Sequence, residues 1–336
     1  MKSNLLNSSK AAAISAALLT LVATNAQADV EDRIAKTFQT RPGEQLVVEL
    51  DRGSIEVKTA DADSVEIEVA RKAGGSQAKA EKILKDHVVT LTQTDTGVQV
   101  RAEYKGAKTR SWFGNSLELQ VQCRITVPRK FDVDLKTAGG SIKVAELTGK
   151  VQANTSGGSM RFEKIEGPVS GHTSGGSIAV AAVKGNVDVK SSGGGLNLSE
   201  IEGDVDAQTS GGSIRAEKLT GKSVVKTSGG SIQVADIQGT IEARTSGGSI
   251  NANLRGQPAG DCTFKTSGGS VTIYLVDNVA VDVDAHTSAG RVTTDFPVAS
   301  VIQGEQKKNE LHGKINGGGP VITAHTSGGS VRLHKN

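Results

Sequence analysis

The chain has 336 residues, of which only 3% are aromatic, so a core built on large rings is not expected. Its 39 Lys and Arg residues nearly balance 36 Asp and Glu residues, and this balance gives no reason to expect a nucleic-acid partner. No apolar stretch is long enough to cross a bilayer, and we expect no membrane span.

Residues 1–28 have the three parts of a secretory signal. Lys2 and Lys10 supply the basic region, a short apolar stretch follows, and the small residues at positions 26–28 form a cleavage site. We therefore predict cleavage after Ala28 and an exported protein, located either in the periplasm or at the cell surface.

Residues 29–135 predict a strand-rich N-terminal cap. Residues 76–87 are rich in Ala, Lys, Glu and Leu and predict one short helix, with Ser76 as its cap. Alternation of apolar and polar residues predicts strands over 45–59, 64–70, 88–94, 98–104 and 117–127. Such a segment would protect the first coil of a repeat stack from pairing with a foreign strand.

One predicted loop of this cap holds the densest group of aromatic and basic residues in the chain. Its candidate recognition residues are Lys105, Lys108, Arg110, Trp112 and Phe113. Tryptophan beside arginine and lysine suits recognition of a partner. The alternative is that Trp112 and Phe113 fold back and plug the open end of the solenoid.

Residues 136–336 are built from repeats that carry a short phrase, usually Thr-Ser-Gly-Gly-Ser-Ile. A fixed period of this kind predicts a solenoid, in which each repeat is one coil and the coils stack. The residue that opens the phrase, here called the marker, recurs every 18 residues at Thr137, Thr155, Thr173, Ser191, Thr209, Thr227 and Thr245.

Each 18-residue unit divides into two nonapeptides with glycine at the fourth place, where we expect a turn that needs positive φ. Alternating apolar and polar residues follow each turn and predict a short half-buried strand. The predicted fold class is all-β: a parallel β-solenoid with two nonapeptide strands per 18-residue coil. Serines at the second place of one nonapeptide are expected to point inward.

The two cysteines, Cys123 and Cys262, are expected to be free and buried. They lie about seven coils apart, and coils are spaced by about 4.8 Å, so the two sulfur atoms are too distant for a disulfide.

The sequence predicts no cofactor and no metal site. The sixth place, where calcium-binding nonapeptide repeats carry aspartate, holds Ile or another apolar residue, which cannot ligate a hard cation. His172, His286 and His325 share one column, but an insertion separates His286 from His325, and this spacing argues against a shared metal ion.

Two further sets of side chains recur along the coils. The residues before the markers are mostly basic, and the outward column two places earlier is mostly acidic, so we expect a paired ladder rather than a positive stripe for anions. The marker hydroxyls and the serines at the fifth place lie at turns, where they are expected to satisfy backbone groups.

Several of these features together resemble the bacterial β-strand-repeat proteins known as the putative adhesin family. The resemblance rests on Gly-Ser-Ile at 53–55, the Val-Pro step at 127–128, the central phrase, and the C-terminal residues 317–320 and 326–331. It covers most of the chain that follows the signal. It implies a repeat architecture and an envelope role, and it brings no catalytic residues.

The function predicted from the sequence is a non-enzymatic exported β-solenoid of the bacterial cell envelope, an adhesin or binding scaffold. Its partner would be a cell-surface glycan, an envelope component or a protein. The alternative is a periplasmic structural or sensing module that self-associates through the solenoid edge, since no C-terminal cap is evident and His334 and Lys335 would only discourage edge pairing. A polysaccharide-active β-helix enzyme is the third hypothesis, although no catalytic motif is present.

Overall fold

The protein is seen here as a computed structural model, which describes residues 29–106, 118–299 and 308–336. The predicted signal, residues 1–28, lies outside this range. The described chain is almost entirely β-structure with a single short helix, and its strands form two parallel stacks. The predicted fold class, a parallel β-solenoid with one helix near its N-terminal end, is confirmed.

The N-terminal part contains seven strands and the helix. They are β1 (Val30–Gln39), β2 (Gln45–Leu50), β3 (Ser54–Ala60), β4 (Ser64–Ala73), α1 (Gln77–Asp86), β5 (His87–Thr94), β6 (Gly97–Tyr104) and β7 (Leu119–Pro128). The sequence pattern predicted all of these except β1. Ser76 is the N-cap of α1, but its side chain makes no capping hydrogen bond.

The strands of the regular repeats alternate between the two sheets. They are β8 (Asp132–Thr137), β9 (Ile142–Ala145), β10 (Val151–Thr155), β11 (Met160–Glu166), β12 (Val169–Thr173), β13 (Ile178–Lys184), β14 (Val187–Ser191), β15 (Leu196–Glu202), β16 (Val205–Thr209), β17 (Ile214–Leu219), β18 (Ser223–Thr227), β19 (Ile232–Ile237), β20 (Ile241–Thr245) and β21 (Ile250–Leu254). The C-terminal strands are β22 (Cys262–Thr266), β23 (Val271–Leu275), β24 (Val281–Thr287), β25 (Val292–Thr294), β26 (Glu310–Ile315), β27 (Val321–Thr326) and β28 (Val331–Lys335).

The two sheets each contain one strand of every regular coil. Sheet A has the strand order β1-β4-β7-β3, then the odd-numbered strands from β9 to β23, then β28-β25. Sheet B has the order β5-β6-β2, then the even-numbered strands from β8 to β22, then β27-β24-β26. Parallel pairing in the regular coils joins residues 18 apart, for example Val151 with Val169 and Thr155 with Thr173.

The core is the thin layer between the sheets, filled by alternate residues of every strand. Most of them are Val, Ile, Leu and Ala, yet Phe131, Phe162 and Phe264 are also fully buried. Phe162 fits because the facing strand has Gly171, where a Cβ would lie 2.9 Å from the ring atom Cε2 of Phe162. The thin core therefore accommodates a phenylalanine ring where the facing strand has a glycine.

Two different constraints require glycine at the fourth place, and the sequence suggested only the first, a turn with positive φ. Gly167 has φ +145°, a conformation that side chains disfavour. Gly158 has no such φ, but a Cβ there would overlap the backbone of Gly140 in the preceding coil. The turn at Gly158 also interrupts the alternation of inward and outward residues, and Ser156, at the second place of its nonapeptide, is exposed. The expectation that the second-place serines point inward is therefore wrong.

Both ends of the stack contain a coil that is out of sequence order. At the N-terminal end, β2 and β3 lie between the coil of β6 and β7 and the coil of β8 and β9. At the C-terminal end, β27 and β28 lie between β22 and β23 on one side and β24 and β25 on the other.

This arrangement decides which strands form the edges. His334 and Lys335 belong to β28, which pairs with β23 along its length and with β25 at residues 331–333. β28 is therefore not the last strand of sheet A, and the expectation of a solenoid edge at this strand is wrong. Sheet B ends instead in β26, which pairs antiparallel with β24, and sheet A ends in β25. At the opposite end, β1 and β4 extend sheet A and β5 extends sheet B, all by antiparallel pairing.

In the part of the chain that the structure describes, no helix has both the length and the apolar character needed to cross a membrane.

Candidate ligand-binding surfaces

The predicted recognition loop is seen only at its first residue. Lys105 follows β6, is exposed, and its backbone N–H donates a 2.8 Å hydrogen bond to the carbonyl oxygen of Asp86 at the end of α1. Lys108, Arg110, Trp112 and Phe113 lie outside the described residues. Their role in recognition stays a prediction.

The outer face of sheet B has the paired ladder that the sequence predicted. Within single strands, Lys136 lies 3.3 Å from Asp134 and Arg244 lies 2.8 Å from Glu242. Pairs of this exposed kind contribute little to stability, about 0–1 kcal/mol each. They set acidic side chains directly beside the basic column along this face. A groove of about 730 Å³ on this face is lined by residues of both signs.

The marker hydroxyls are used inside the fold. The Thr173 hydroxyl donates a 2.9 Å hydrogen bond to the Gly158 carbonyl oxygen of the preceding coil and accepts one of 3.2 Å from the Gly176 N–H. Ser191 makes the same two bonds through its own hydroxyl. The marker side chains are buried. The expectation that they satisfy backbone groups is confirmed, and they offer no hydroxyl face to a ligand.

The histidine column differs from the expectation, because the out-of-order coil brings His286 and His325 onto neighbouring strands. Their ring centroids are 6.1 Å apart. Asp284 lies between two histidines, 3.2 Å from Nε2 of His325 and 3.1 Å from Nδ1 of His312. Even so, among the described residues no group of three or more His, Cys, Asp or Glu side chains is placed to hold a metal ion.

A buried charged cluster that sequence reasoning missed joins the N-terminal elements. The Arg71 guanidinium donates from Nε to Oδ1 of Asp32 at 2.9 Å and from Nη1 to the Leu84 carbonyl oxygen at 3.0 Å. His87 is buried between Arg71 and Asp51. Burial lowers the pKa of His87 below its usual 6.5, and the positive charge of Arg71 lowers it further against the opposing effect of Asp51. Asp32, Arg71 and His87 are buried, and the bonds of Arg71 join β1, β4 and α1.

The two cysteines are free and buried, as the sequence predicted. Burial raises the pKa of the Cys123 thiol to about 12 and also raises that of Cys262. Because the thiolate is the reactive form, neither side chain is suited to nucleophilic or redox chemistry.

The outer face of sheet A contains a groove that the sequence analysis did not single out. It has a volume of about 660 Å³ and crosses six neighbouring coils. Lys143, Arg161 and Arg215 border it, and its floor includes Ala179 and Gly195. The sequence does contain a signal for this groove. In each repeat one outward residue of sheet A directly follows the apolar residue at the sixth place, and none of these outward residues from β9 to β28 is acidic.

The architecture defines a protein of the two-sheet parallel β-solenoid class with shallow grooves on its outer faces. The chain belongs to the Toastrack family: the family model Toastrack DUF4097 matches residues 44–334. No curated protein matches it.

Three of the solved structures that resemble the chain come from different bacteria. A putative cell adhesion protein from Clostridium sporogenes ATCC 15579 has 12% identity over 90% of this chain and 99% of its own, with a TM-score of 0.24. A putative adhesin from Bacteroides fragilis NCTC 9343 has 12% identity over 90% and 97%, with a TM-score of 0.34. A putative lipid binding protein from Parabacteroides distasonis ATCC 8503 has 13% identity over 90% and 96%, with a TM-score of 0.37. Likenesses this distant say nothing about the ligand of this chain.

Proposed function

We propose that this protein is an exported, non-enzymatic scaffold of the bacterial cell envelope that binds an extended partner along the outer face of its solenoid. The observation that carries the proposal is the unbroken parallel stacking of sheet A from β9 to β23. Each outward position returns about every 4.8 Å along the stack. Weak contacts repeated in this way add up for a partner that is itself long and repetitive.

The chemistry of the described side chains supports a binding role over catalysis. The shifted pKa values on the outer surface come from ion pairs such as Lys164 with Glu146, whose hydrogen bond lowers the pKa of the Glu146 carboxyl, and Lys218 with Glu200. Such pairs recur along the stack, whereas a catalytic centre needs one unique arrangement. The enzyme hypothesis would be supported only by turnover of a polysaccharide that is lost when one carboxylate is changed.

Export is proposed from the signal-like sequence of residues 1–28. The test is to treat intact cells with protease beside cells whose outer membrane has been opened by osmotic shock. Degradation in intact cells would support a surface protein that binds glycans or proteins outside the cell. Protection until shock would restrict the protein to the periplasm and remove the adhesin role. Cytoplasmic fractionation would contradict the proposal.

The recognition loop remains a second proposed contact. Changing Trp112→Ala together with Phe113→Ala should weaken partner binding while the melting temperature stays nearly constant. A large fall in melting temperature would instead show that these rings cap the core, which is the alternative reading of the same residues. Lys105→Gln, at the described start of the loop, tests the contribution of charge alone.

Self-association through a solenoid edge is the competing function. Sedimentation at increasing concentration separates the two accounts, since a scaffold for a foreign partner stays monomeric and a self-assembling module does not.

A further inference from the structure

Sheets A and B present different chemistry to solvent, although one repeat builds both. On sheet B, acidic and basic columns stand side by side and pair. On sheet A, the outward residues that directly follow the sixth place form one column. This column contains basic, small polar and apolar residues and no acid. Its members from β9 to β28 are Lys143, Arg161, Ala179, Asn197, Arg215, Gln233, Asn251, Thr272 and Arg332.

The groove on this face lies between two arginines. Arg161 on β11 and Arg215 on β17 are separated by three strand spacings, which is about 14 Å. Their side chains are 58% and 64% exposed, so both guanidinium groups are open to a ligand. The strands between them carry the short side chains of Ala179 and Asn197 at the same column. The result is a depression with an arginine on either side of its shallow middle, and the groove continues past them to Lys143 and to Gln233.

The repeat itself shows that the floor of the groove is lowered by residue choice. Neighbouring coils have serine at the fifth place, for example Ser177 and Ser213, whereas this coil has Gly195. A Cβ on Gly195 would lie 3.1 Å from the carbonyl oxygen and 3.9 Å from the backbone nitrogen of Ser213, and the φ of Gly195 is not in the left-handed region. The backbone therefore requires only a small shift to accept a side chain there, unlike at Gly194, where a Cβ would overlap the preceding coil.

Two acids lie beside the arginines of the groove and offset part of its positive charge, whereas no ion pair is seen for Lys143 among the described residues. Glu163 pairs with Arg161 at 2.8 Å, and Glu217 approaches Arg215 at 4.0 Å. Each pair lies within one strand at the border of the groove. A guanidinium has five N–H donors, so one carboxylate leaves donors for a ligand. Exposed pairs are weak enough for a second anion to compete or to share the cation.

The donors on this face determine the class of ligand. Hydroxyl and amide groups of Ser177, Ser213, Asn197 and Gln233 suit hydroxyl-rich chains, and the two arginines suit carboxylate or phosphate groups. Among the described residues, those that line the groove include no aromatic ring on which a neutral sugar could stack. Resting on the scaffold function proposed above, we propose that the groove binds an acidic polysaccharide, with Arg161 and Arg215 holding two anionic groups of one chain.

The test measures binding of the full chain after residue 28 to four polymers by calorimetry at a fixed salt concentration near 150 mM. Polygalacturonate carries carboxylates, a phosphorylated mannan carries phosphates, dextran is neutral, and single-stranded DNA represents another class of polyanion. The salt concentration is fixed because polyanion affinity changes steeply with it.

Two variants test the groove. Arg161→Gln with Arg215→Gln removes both cations, and Ala179→Phe fills the floor without changing charge. The matched control is Lys190→Gln with Arg244→Gln, which removes two cations from the outer face of sheet B. We expect each groove variant to weaken binding of one acidic polysaccharide about tenfold or more. The control should bind like the unchanged protein, and all variants should keep the same melting temperature.

The outcomes separate the inference from the function on which it rests. Equal loss in the control would show unspecific attraction to total charge and overturn the groove, as would DNA binding as tight as that of the acidic polysaccharides. Binding of dextran that none of the variants changes would overturn the groove and leave the scaffold function standing. No binding to any of these polymers, together with cytoplasmic fractionation, would overturn both. The carboxylate and phosphate polymers then identify which anion the arginines prefer.

Discussion

Gly158 lies so close to Gly140 of the preceding coil that a Cβ built on it would overlap the carbonyl oxygen of Gly140. The neighbouring Gly157 has room, since the nearest atom to its Cβ would be the Gly139 oxygen at 3.7 Å. Close stacking of the coils thus requires glycine at position 158 but not at position 157, and the difference can be measured as a change in stability.

Gly158→Ala should destabilise the protein by about 3 kcal/mol or more, because the overlap is with backbone that cannot move without separating the coils. Gly157→Ala should change the free energy of unfolding by less than about 1 kcal/mol, in the stabilising direction, because alanine restricts the unfolded chain. Urea unfolding of both variants provides the comparison. Equal effects at the two positions would contradict close stacking as the cause.

Thr209→Val should lower stability by about 1–3 kcal/mol. The Thr209 hydroxyl donates to the Gly194 carbonyl oxygen at 2.8 Å and accepts from the Gly212 N–H at 3.4 Å, and valine keeps the shape but leaves both backbone groups without this partner. Thr209→Ser is the matched control and should be nearly neutral, since Ser191 makes these bonds in the coil before. A valine variant as stable as the serine variant would show that the hydroxyl ladder adds nothing.

Gly171 and Phe162 should be energetically coupled across the core. Gly171→Ala places a methyl group against the Phe162 ring and should cost about 1–3 kcal/mol. In a chain that also has Phe162→Leu, the same change should cost less, with a coupling of about 0.5–3 kcal/mol. A double-mutant cycle followed by thermal unfolding measures this coupling. Strict additivity would mean that the ring has room to move away.

His87 should make the protein sensitive to acid. Its folded-state pKa is lowered mainly by burial, so the unfolded chain binds a proton more readily than the folded chain. The contribution of the neutral ring is complete above its ordinary pKa of 6.5 and is lost as the pH falls through the lower pKa of the folded state.

His87→Gln tests this directly. The variant should be less stable than the unchanged protein at pH 7.5, because its contacts with Arg71 and Asp51 change, yet its stability should fall less between pH 7 and pH 5. His172→Gln, on the outer face of sheet B, serves as the control and should follow the unchanged protein. Parallel pH profiles for the His87 variant and the unchanged protein would remove His87 as the cause.

The sequence predicted the coil and its register well, because the 18-residue spacing from Thr137 to Thr245 describes a local, repeated relationship. It did not predict which coils are neighbours at the two ends. Ile55 pairs with Cys123 on one side and with Ile142 on the other, and nothing in the local pattern of any of the three strands specifies that choice. The proximity of His286 and His325 was missed for the same reason.

The groove on sheet A was predictable in part. Its arginines occupy a fixed place in the repeat, and a comparison of outward columns would have found them. The importance of Gly195 is visible only when the structure separates glycines required by close stacking, such as Gly194, from those that leave space. Exposure and depth depend on neighbouring coils, and periodicity alone does not describe them.

The out-of-order coils at both ends restrict how a chain of this kind can change in length. A duplicated or deleted 18-residue unit among β10 to β21 leaves every remaining strand with the same type of neighbour. The same change next to β2 and β3, or next to β27 and β28, would remove strands with which an out-of-order end coil pairs. The middle of the stack is thus the part that can lengthen or shorten by whole repeats, and the length of the outer faces can change without rebuilding either end.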